Sequence, residues 1–231
     1  MTRSDWAYVS NDLIYVSLFT FAVAFFLYTF ATAFAVRTNG MDRSTTVKSG
    51  RIATVFFAIG TAALILGVLT RGISAERVPW GNMYEFSITG ALTFAIAYLV
   101  LGRKYDLRWL GLPISILILL ILGTAITLLY RPSAPLVPAL QSTWLVVHVA
   151  AAIVSGGVFL LSNTVASTYL WLDRMERKGE RSEFAKRLPS LEILDQLSYR
   201  LVAFVFPLWT FAIIAGAIWA EAAWGLSLIH I

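Results

Sequence analysis

Residues 110–130 read LGLPISILILLILGTAITLLY and carry no charged side chain. An α-helix needs about 20 apolar residues to cross the hydrocarbon core of a bilayer, so this stretch is long enough to span a membrane. Similar apolar stretches occur at roughly 12–36, 52–72, 83–102, 143–172 and 199–224. The sequence therefore predicts an all-α, polytopic membrane protein with about six transmembrane helices.

The composition of the 231-residue chain supports the same fold class. Hydrophobic residues make up 58% of the chain and charged residues 13%, whereas a soluble domain is about one-quarter charged. The chain has no cysteine, which excludes disulfides, iron–sulfur clusters, thiolate ligation of haem and thiol redox chemistry by its own side chains. Any thiol chemistry connected with this protein must therefore come from another chain.

The net charge is +5, and most of the 18 Lys and Arg residues lie in the connections after the first, third and fifth apolar stretches. These residues are Arg37, Arg43, Lys48 and Arg51; Arg103, Lys104 and Arg108; and Arg174, Arg177, Lys178, Arg181, Lys186, Arg187 and Arg200. Loops rich in Lys and Arg face the cytoplasm, so the N-terminus is predicted to lie outside. The pattern also argues against nucleic-acid binding, because the charge is spread over loops at a membrane face.

The connection before the third stretch, residues 77–86, reads RVPWGNMYEF. Its aromatic rings are typical of the belt at a membrane interface. An aromatic belt does not explain why Asn82 and Glu85 are present, because unpaired polar groups are energetically costly at the start of an apolar span. We expect the Glu85 carboxylate to pair with Arg77 or Arg71, or else to line a polar cavity.

His148 follows a proline-rich connection and is the only histidine in the body of the chain. Trp144 lies four residues earlier, so the two side chains share one helix face. Imidazole is the commonest metal ligand and binds haem iron in many proteins. The alternative is a packed histidine bonded to a neighbouring carbonyl. At the end of the last stretch, Glu221 lies between Trp219 and Trp224, which is unusual for a lipid-facing helix end.

These segments resemble the CcsA/CcsB (ResC-like) family of cytochrome c biogenesis proteins of system II, most closely the actinobacterial form. The resemblance covers residues 4–225. Four segments carry it: SDWA at 4–7, VPWGNMYEF at 78–86, WLVVH at 144–148, and FPLWT at 206–210 running on to EAAWG at 221–225.

The resemblance implies that the protein handles haem b, held transiently, and delivers it at the outer membrane face for covalent attachment to apocytochrome c. The implied partners are a second large ResB-like subunit, apocytochrome c, a thiol-reductase partner and the lipid bilayer, with no nucleic acid. The implied location is the plasma membrane of a bacterium. The chain would be part of a membrane cytochrome c synthetase (haem lyase), which leaves open whether it is itself an enzyme.

The resemblance also assigns His148 to the haem site, and the surrounding residues are our own expectation. His148 matches the outer-face histidine that precedes the tryptophan-rich haem platform of the family, and is the expected iron ligand. Residues expected to shelter the porphyrin or shape its site are Trp144, Trp80, Asn82, Tyr84, Glu85 and Trp224.

The sequence departs from the family after Gly225. Where the family continues into the platform, this chain reads LSLIHI at 226–231, which a transposon-based sequencing adapter encodes in one reading frame. We therefore expect residues 1–225 to be a membrane domain, the N-terminal part of the haem-handling domain. Residues 226–231 are expected to be a non-native tail in which His230 has no role. Such a fragment is expected to bind haem weakly or not at all and to be inactive alone.

Two other functions fit a polytopic membrane protein. A non-catalytic scaffold would use its basic loops and outer Glu residues to dock a biogenesis partner. A small-solute transporter would be indicated by broken helices paired in two halves, and the sequence has no such pairing. An absorption spectrum separates haem handling from both.

Overall fold

The computed structural model describes residues 2–37, 43–132, 134, 141–179, 185 and 188–225, with the backbone alone at 34–37, 43–47 and 224. This part of the chain folds into six α-helices and contains no strand. The helices are α1 (Arg3–Arg37), α2 (Arg43–Ala75), α3 (Met83–Gly102), α4 (Gly111–Thr127, preceded by one 3₁₀ turn), α5 (Thr143–Lys178) and α6 (Leu191–Trp224). All six are long and apolar enough to cross a membrane, which confirms the predicted fold class. The tail predicted at 226–231 lies outside the described residues.

Several helices are longer than the apolar stretches that predicted them. The third stretch and α3 coincide, but α1 begins at Arg3, α5 continues to Lys178 and α6 begins at Leu191. A helix does not have to end where the hydrocarbon ends, because its backbone hydrogen bonds are made internally in water as well as in lipid. Hydropathy therefore identified the six apolar stretches but underestimated the lengths of several helices.

Helices α1 to α4 form a bundle with an aromatic centre. Phe57 meets both Phe21 and Tyr98 in edge-to-face contacts, each with ring centroids 4.9 Å apart. Gly111, at the start of α4, faces the ring of Tyr28, and a Cβ at this glycine would lie 2.4 Å from it. The glycine is therefore required for the close approach of α4 to α1.

Helices α5 and α6 attach to this bundle through α3. A Cβ on Gly157 of α5 would lie 2.9 Å from the backbone nitrogen of Phe94, so the two helices pack with almost no side chain between them. Helix α6 packs along α5. The bundle thus places α5 between α3 and α6.

The two ends of the bundle differ in chemistry. At one end, the Ser74 hydroxyl donates to the Arg3 carbonyl (3.0 Å), and Arg71 donates to the Arg131 carbonyl (2.6 Å). These bonds bring together the start of α1, the end of α2 and the residues after α4, and we call this the cavity end. The opposite end carries Arg103 and Arg108 and is called the basic end.

Candidate functional site

Glu85 is a fully buried carboxylate in the first turn of α3, at the cavity end. Its Oε1 accepts a hydrogen bond from Arg71 Nε (3.1 Å), and its Oε2 accepts from Arg77 Nη1 (2.8 Å). The backbone nitrogen of Gly81 donates to the same Oε2 at 2.8 Å. Asn82 caps α3 by accepting from the Glu85 nitrogen (2.9 Å). The expectation that Glu85 pairs with Arg77 or Arg71 is confirmed, and it pairs with both.

The two arginines extend this site to the connection after α4. Arg71 is fully buried, with its guanidinium carbon 5.2 Å from the centre of the Tyr84 ring. Its Nη2 donates to the Arg131 carbonyl at 2.6 Å, and Arg77 Nη2 donates to the Ala134 carbonyl at 3.2 Å. We call Arg71, Arg77 and Glu85 the arginine–glutamate cluster. It joins three segments of the chain and carries one more positive than negative charge.

A cavity of about 690 Å³ lies beside this cluster. Its volume is within the range of about 300–1,000 Å³ that is usual for small-molecule sites. Arg77 and Trp80 contribute to one wall, and the first turns of α5 contribute to another. The residues around it are Arg3, Ser4, Ala7, residues 74–78, Trp80, Gly81, Ala134, residues 141–143, Leu145, Val146 and Val149.

His148 lies one helical turn inside α5 and faces α6. Its Nδ1 is 2.7 Å from the Ala212 carbonyl oxygen, which can only accept, so Nδ1 carries the proton. With that proton on Nδ1, an imidazole in its neutral form has its lone pair on Nε2. The imidazole stacks on Trp219 at 6.2 Å between centroids and 11° between planes. A Cβ on Gly216 would come within 2.7 Å of the ring, so this glycine makes room for the histidine.

This geometry matches the packed-histidine interpretation and also the arrangement found in metal-ligating histidines. Such histidines usually donate one ring N–H to a carbonyl or carboxylate, which fixes the tautomer and leaves the other nitrogen for the metal. Among the described residues no group of three or more His, Cys, Asp or Glu could hold a bare metal ion. Haem iron needs only axial ligands, so one histidine can contribute to its binding.

The predicted site residues fall into two places. Trp80 lies on the cavity wall, and Asn82 and Glu85 organise the turn that carries it. His148 faces α6, with Trp144 four residues before it on α5 and 43% exposed. All of these residues were expected to surround one porphyrin. In the structure, Trp80 lies on the side of α5 that lines the cavity, whereas His148 lies on the side that contacts α6.

Tyr84 does not line the cavity and instead contacts Arg71 of the arginine–glutamate cluster. Tyr84 is 1% exposed and packs against Tyr130, with ring centroids 5.2 Å apart. Trp224 ends α6, and its side chain is outside the described residues.

Neither Gly216 nor Trp219 was predicted from the sequence as a partner of His148. A signal for Gly216 was present, because a glycine inside an apolar helix often marks the close approach of another element. Which element approaches it could not be read from one helix alone.

The chain is similar to proteins of a known family. The family model for "Cytochrome C assembly protein" matches residues 80–230. Cytochrome c biogenesis protein CcsA of Guillardia theta is 35% identical over 185 residues, covering 71% of this chain and 60% of the relative. The CcsA proteins of Chlamydomonas reinhardtii (30% identical; 78% of this chain, 51% of the relative) and Prochlorococcus marinus (31%; 77% and 65%) are also similar. This chain thus spans between about half and two-thirds of the length of these relatives.

Proposed function

Since the chain belongs to the cytochrome c assembly protein family, we propose that it handles haem for covalent attachment to apocytochrome c. The relatives are named as cytochrome c biogenesis proteins, which supports a role in this process. Haem b is the substrate and is held transiently. The nucleophiles that form the thioether bonds belong to the apocytochrome, because this chain has no cysteine. Its own residues bind and orient the haem.

The observation that carries this proposal is the orientation of His148. The Ala212 carbonyl holds the proton on Nδ1, which leaves the Nε2 lone pair for iron. Gly216 provides the space for the imidazole, and Trp219 stacks on it. Trp144, on the same helix face, supplies a further aromatic surface for the porphyrin.

The charge pattern supports a site on the outer side of the membrane. The connections with the most basic residues are at the basic end, and His148 is near the cavity end. By the positive-inside rule the cavity end then faces away from the cytoplasm. The membrane that we propose is the plasma membrane of a bacterium. The proposed partners there are apocytochrome c, a ResB-like second subunit and a thiol reductase.

Haem titration of the purified chain in detergent tests the role of His148. We expect the wild-type chain to shift the Soret band of added ferric haem, and His148→Ala to abolish this shift. Adding free imidazole to His148→Ala should restore it, because the missing group is a ligand and not a structural support. His230→Ala is the matched control, since the chain has only two histidines, and it should behave as wild type.

A full Soret shift in His148→Ala without imidazole would contradict this assignment. If the wild-type chain produced no shift at all, these residues would hold no haem of their own, and the role assigned to His148 in this chain would be wrong. Co-purification with a second subunit would not separate haem handling from a scaffold, because both predict it.

A further inference from the structure

The arginine–glutamate cluster has an unbalanced charge in a buried place. Arg71 and Glu85 are both fully buried, and Arg77 is 15% exposed at its side chain, so two guanidinium groups share one carboxylate. A buried charge without a counter-charge is strongly unfavourable. Nearby, Arg3 and Glu76 form their own ion pair at the cavity rim and leave the excess charge of the cluster in place.

Three hydrogen-bond donors at this end are also unused. Arg71 Nη1, Arg77 Nε and Trp80 Nε1 are buried and have no hydrogen-bond partner among the described residues. A buried donor left unpaired costs about 1–3 kcal/mol. Arg77 and Trp80 line the cavity, and the unused atom of each is a donor. The group that best complements them is therefore an acceptor with negative charge.

The rest of the cavity is suited to an apolar body. Besides Arg77 and Trp80, the residues that line it include the apolar Ala7, Leu145 and Val149. The bond from Arg77 Nη2 to the Ala134 carbonyl is exposed and 3.2 Å long, so it can be exchanged for a ligand oxygen while Nη1 still holds Glu85. A carboxylate on an otherwise apolar molecule fits both surfaces.

We propose that this cavity is a carboxylate-binding subsite that recognises the carboxylates of a porphyrin, with Arg77 and Trp80 as the specificity-determining residues. This inference rests on the proposed function for the identity of the porphyrin. It is independent of His148, whose ring faces α6 and not this cavity wall.

The test compares metal-free protoporphyrin IX with its dimethyl ester, so that iron ligation makes no contribution. Binding of each is measured by porphyrin fluorescence during titration with the purified chain in detergent. We expect the diacid to bind about ten- to a hundredfold more tightly than the ester, as for charge-assisted hydrogen bonds. Equal affinity for the two, or no binding of either, overturns the proposal.

Substitutions in the cavity test which residues cause the preference for the diacid over the ester. Trp80→Phe keeps an aromatic ring and removes the Nε1 donor, and Arg77→Lys keeps the charge and removes the planar fork. Both variants should reduce the ratio of diacid to ester affinity. The control is Val149→Ala at the apolar part of the cavity, which should weaken the binding of both ligands and leave that ratio unchanged. A variant that merely folds poorly loses both ligands equally. A ratio that is unchanged in both Trp80→Phe and Arg77→Lys refutes the assignment.

Two further measurements distinguish the porphyrin subsite from a lipid site and from iron ligation. If vesicles of phosphatidylglycerol displace the diacid but vesicles of phosphatidylcholine do not, the subsite takes a lipid headgroup and the porphyrin assignment is wrong. If haem dimethyl ester binds through His148 as tightly as haem does, haem handling stands and the carboxylate subsite falls. If the diacid still binds more tightly than the ester, but His148→Ala leaves the Soret shift unchanged, the carboxylate subsite stands and the role of His148 in haem ligation falls.

Discussion

Replacing Glu85 by Gln should destabilise the protein strongly, because it leaves Arg71 buried without a counter-charge. The carboxylate accepts from Arg71 at 3.1 Å, from Arg77 at 2.8 Å and from Gly81 at 2.8 Å, and it is 0% exposed. Breaking a buried ion pair by removing one partner costs about 3–5 kcal/mol. For a chain of this length that loss corresponds to a fall in melting temperature of about 6–20 °C.

The measurement is thermal unfolding of the purified protein in one detergent, followed by helical circular dichroism. Asp106→Asn is the matched control, because it removes a carboxylate from an exposed pair with Arg108, and such pairs contribute about 0–1 kcal/mol. The double variant Arg71→Gln with Glu85→Gln should recover part of the loss, since it removes the fully buried guanidinium and returns the cluster from a net charge of +2 to +1. If Glu85→Gln and Asp106→Asn had the same melting temperature, the reasoning would be refuted.

Two further predictions concern the histidine and the basic end. Gly216→Ala should displace the His148 ring and weaken haem binding by about tenfold or more, as loss of a supporting contact does at metal sites. The control is Gly156→Ala, whose added methyl group meets nothing within 4 Å and should leave the Soret titration unchanged. Equal titrations for the two variants would show that the position of the ring does not matter for haem binding. The Arg108 guanidinium lowers the pKa of Asp106 below its ordinary 3.8, so this contribution to stability is present above pH 3.8 and is lost as the pH falls through the folded-state value. Asp106→Asn should remove that part of the acid dependence of the melting temperature, and identical curves for the two proteins would exclude it.

Hydropathy predicted the number and place of the helices, because six apolar stretches of sufficient length admit few other arrangements. It did not predict where α6 begins. Leu194 and Leu197 pack into the core, but Glu192 and Asp195 on the same turns lower the hydropathy of the segment. A helix that continues past the membrane has amphipathic turns, and a window average does not recognise them.

The candidate site could be predicted only in part. Glu85 was expected to be paired because an unpaired carboxylate is too costly at the start of a membrane helix. The direction of His148 was not predictable in the same way, since helix periodicity shows which residues share a face and not which neighbour that face meets. For Tyr84, the aromatic side chain suggested a ligand wall, and the structure buries it beneath Arg71.

A shared carboxylate constrains how positions 71, 77 and 85 can change during evolution. Loss of Glu85 alone removes about 3–5 kcal/mol, a large part of the roughly 5–15 kcal/mol that holds a typical protein folded. A lineage that replaces one member first therefore passes through a poorly folded intermediate, and selection removes it. Among related sequences we expect these three positions to be retained together or to be exchanged together for an uncharged set, so that covariation at these positions reports the ion pairs seen in the structure.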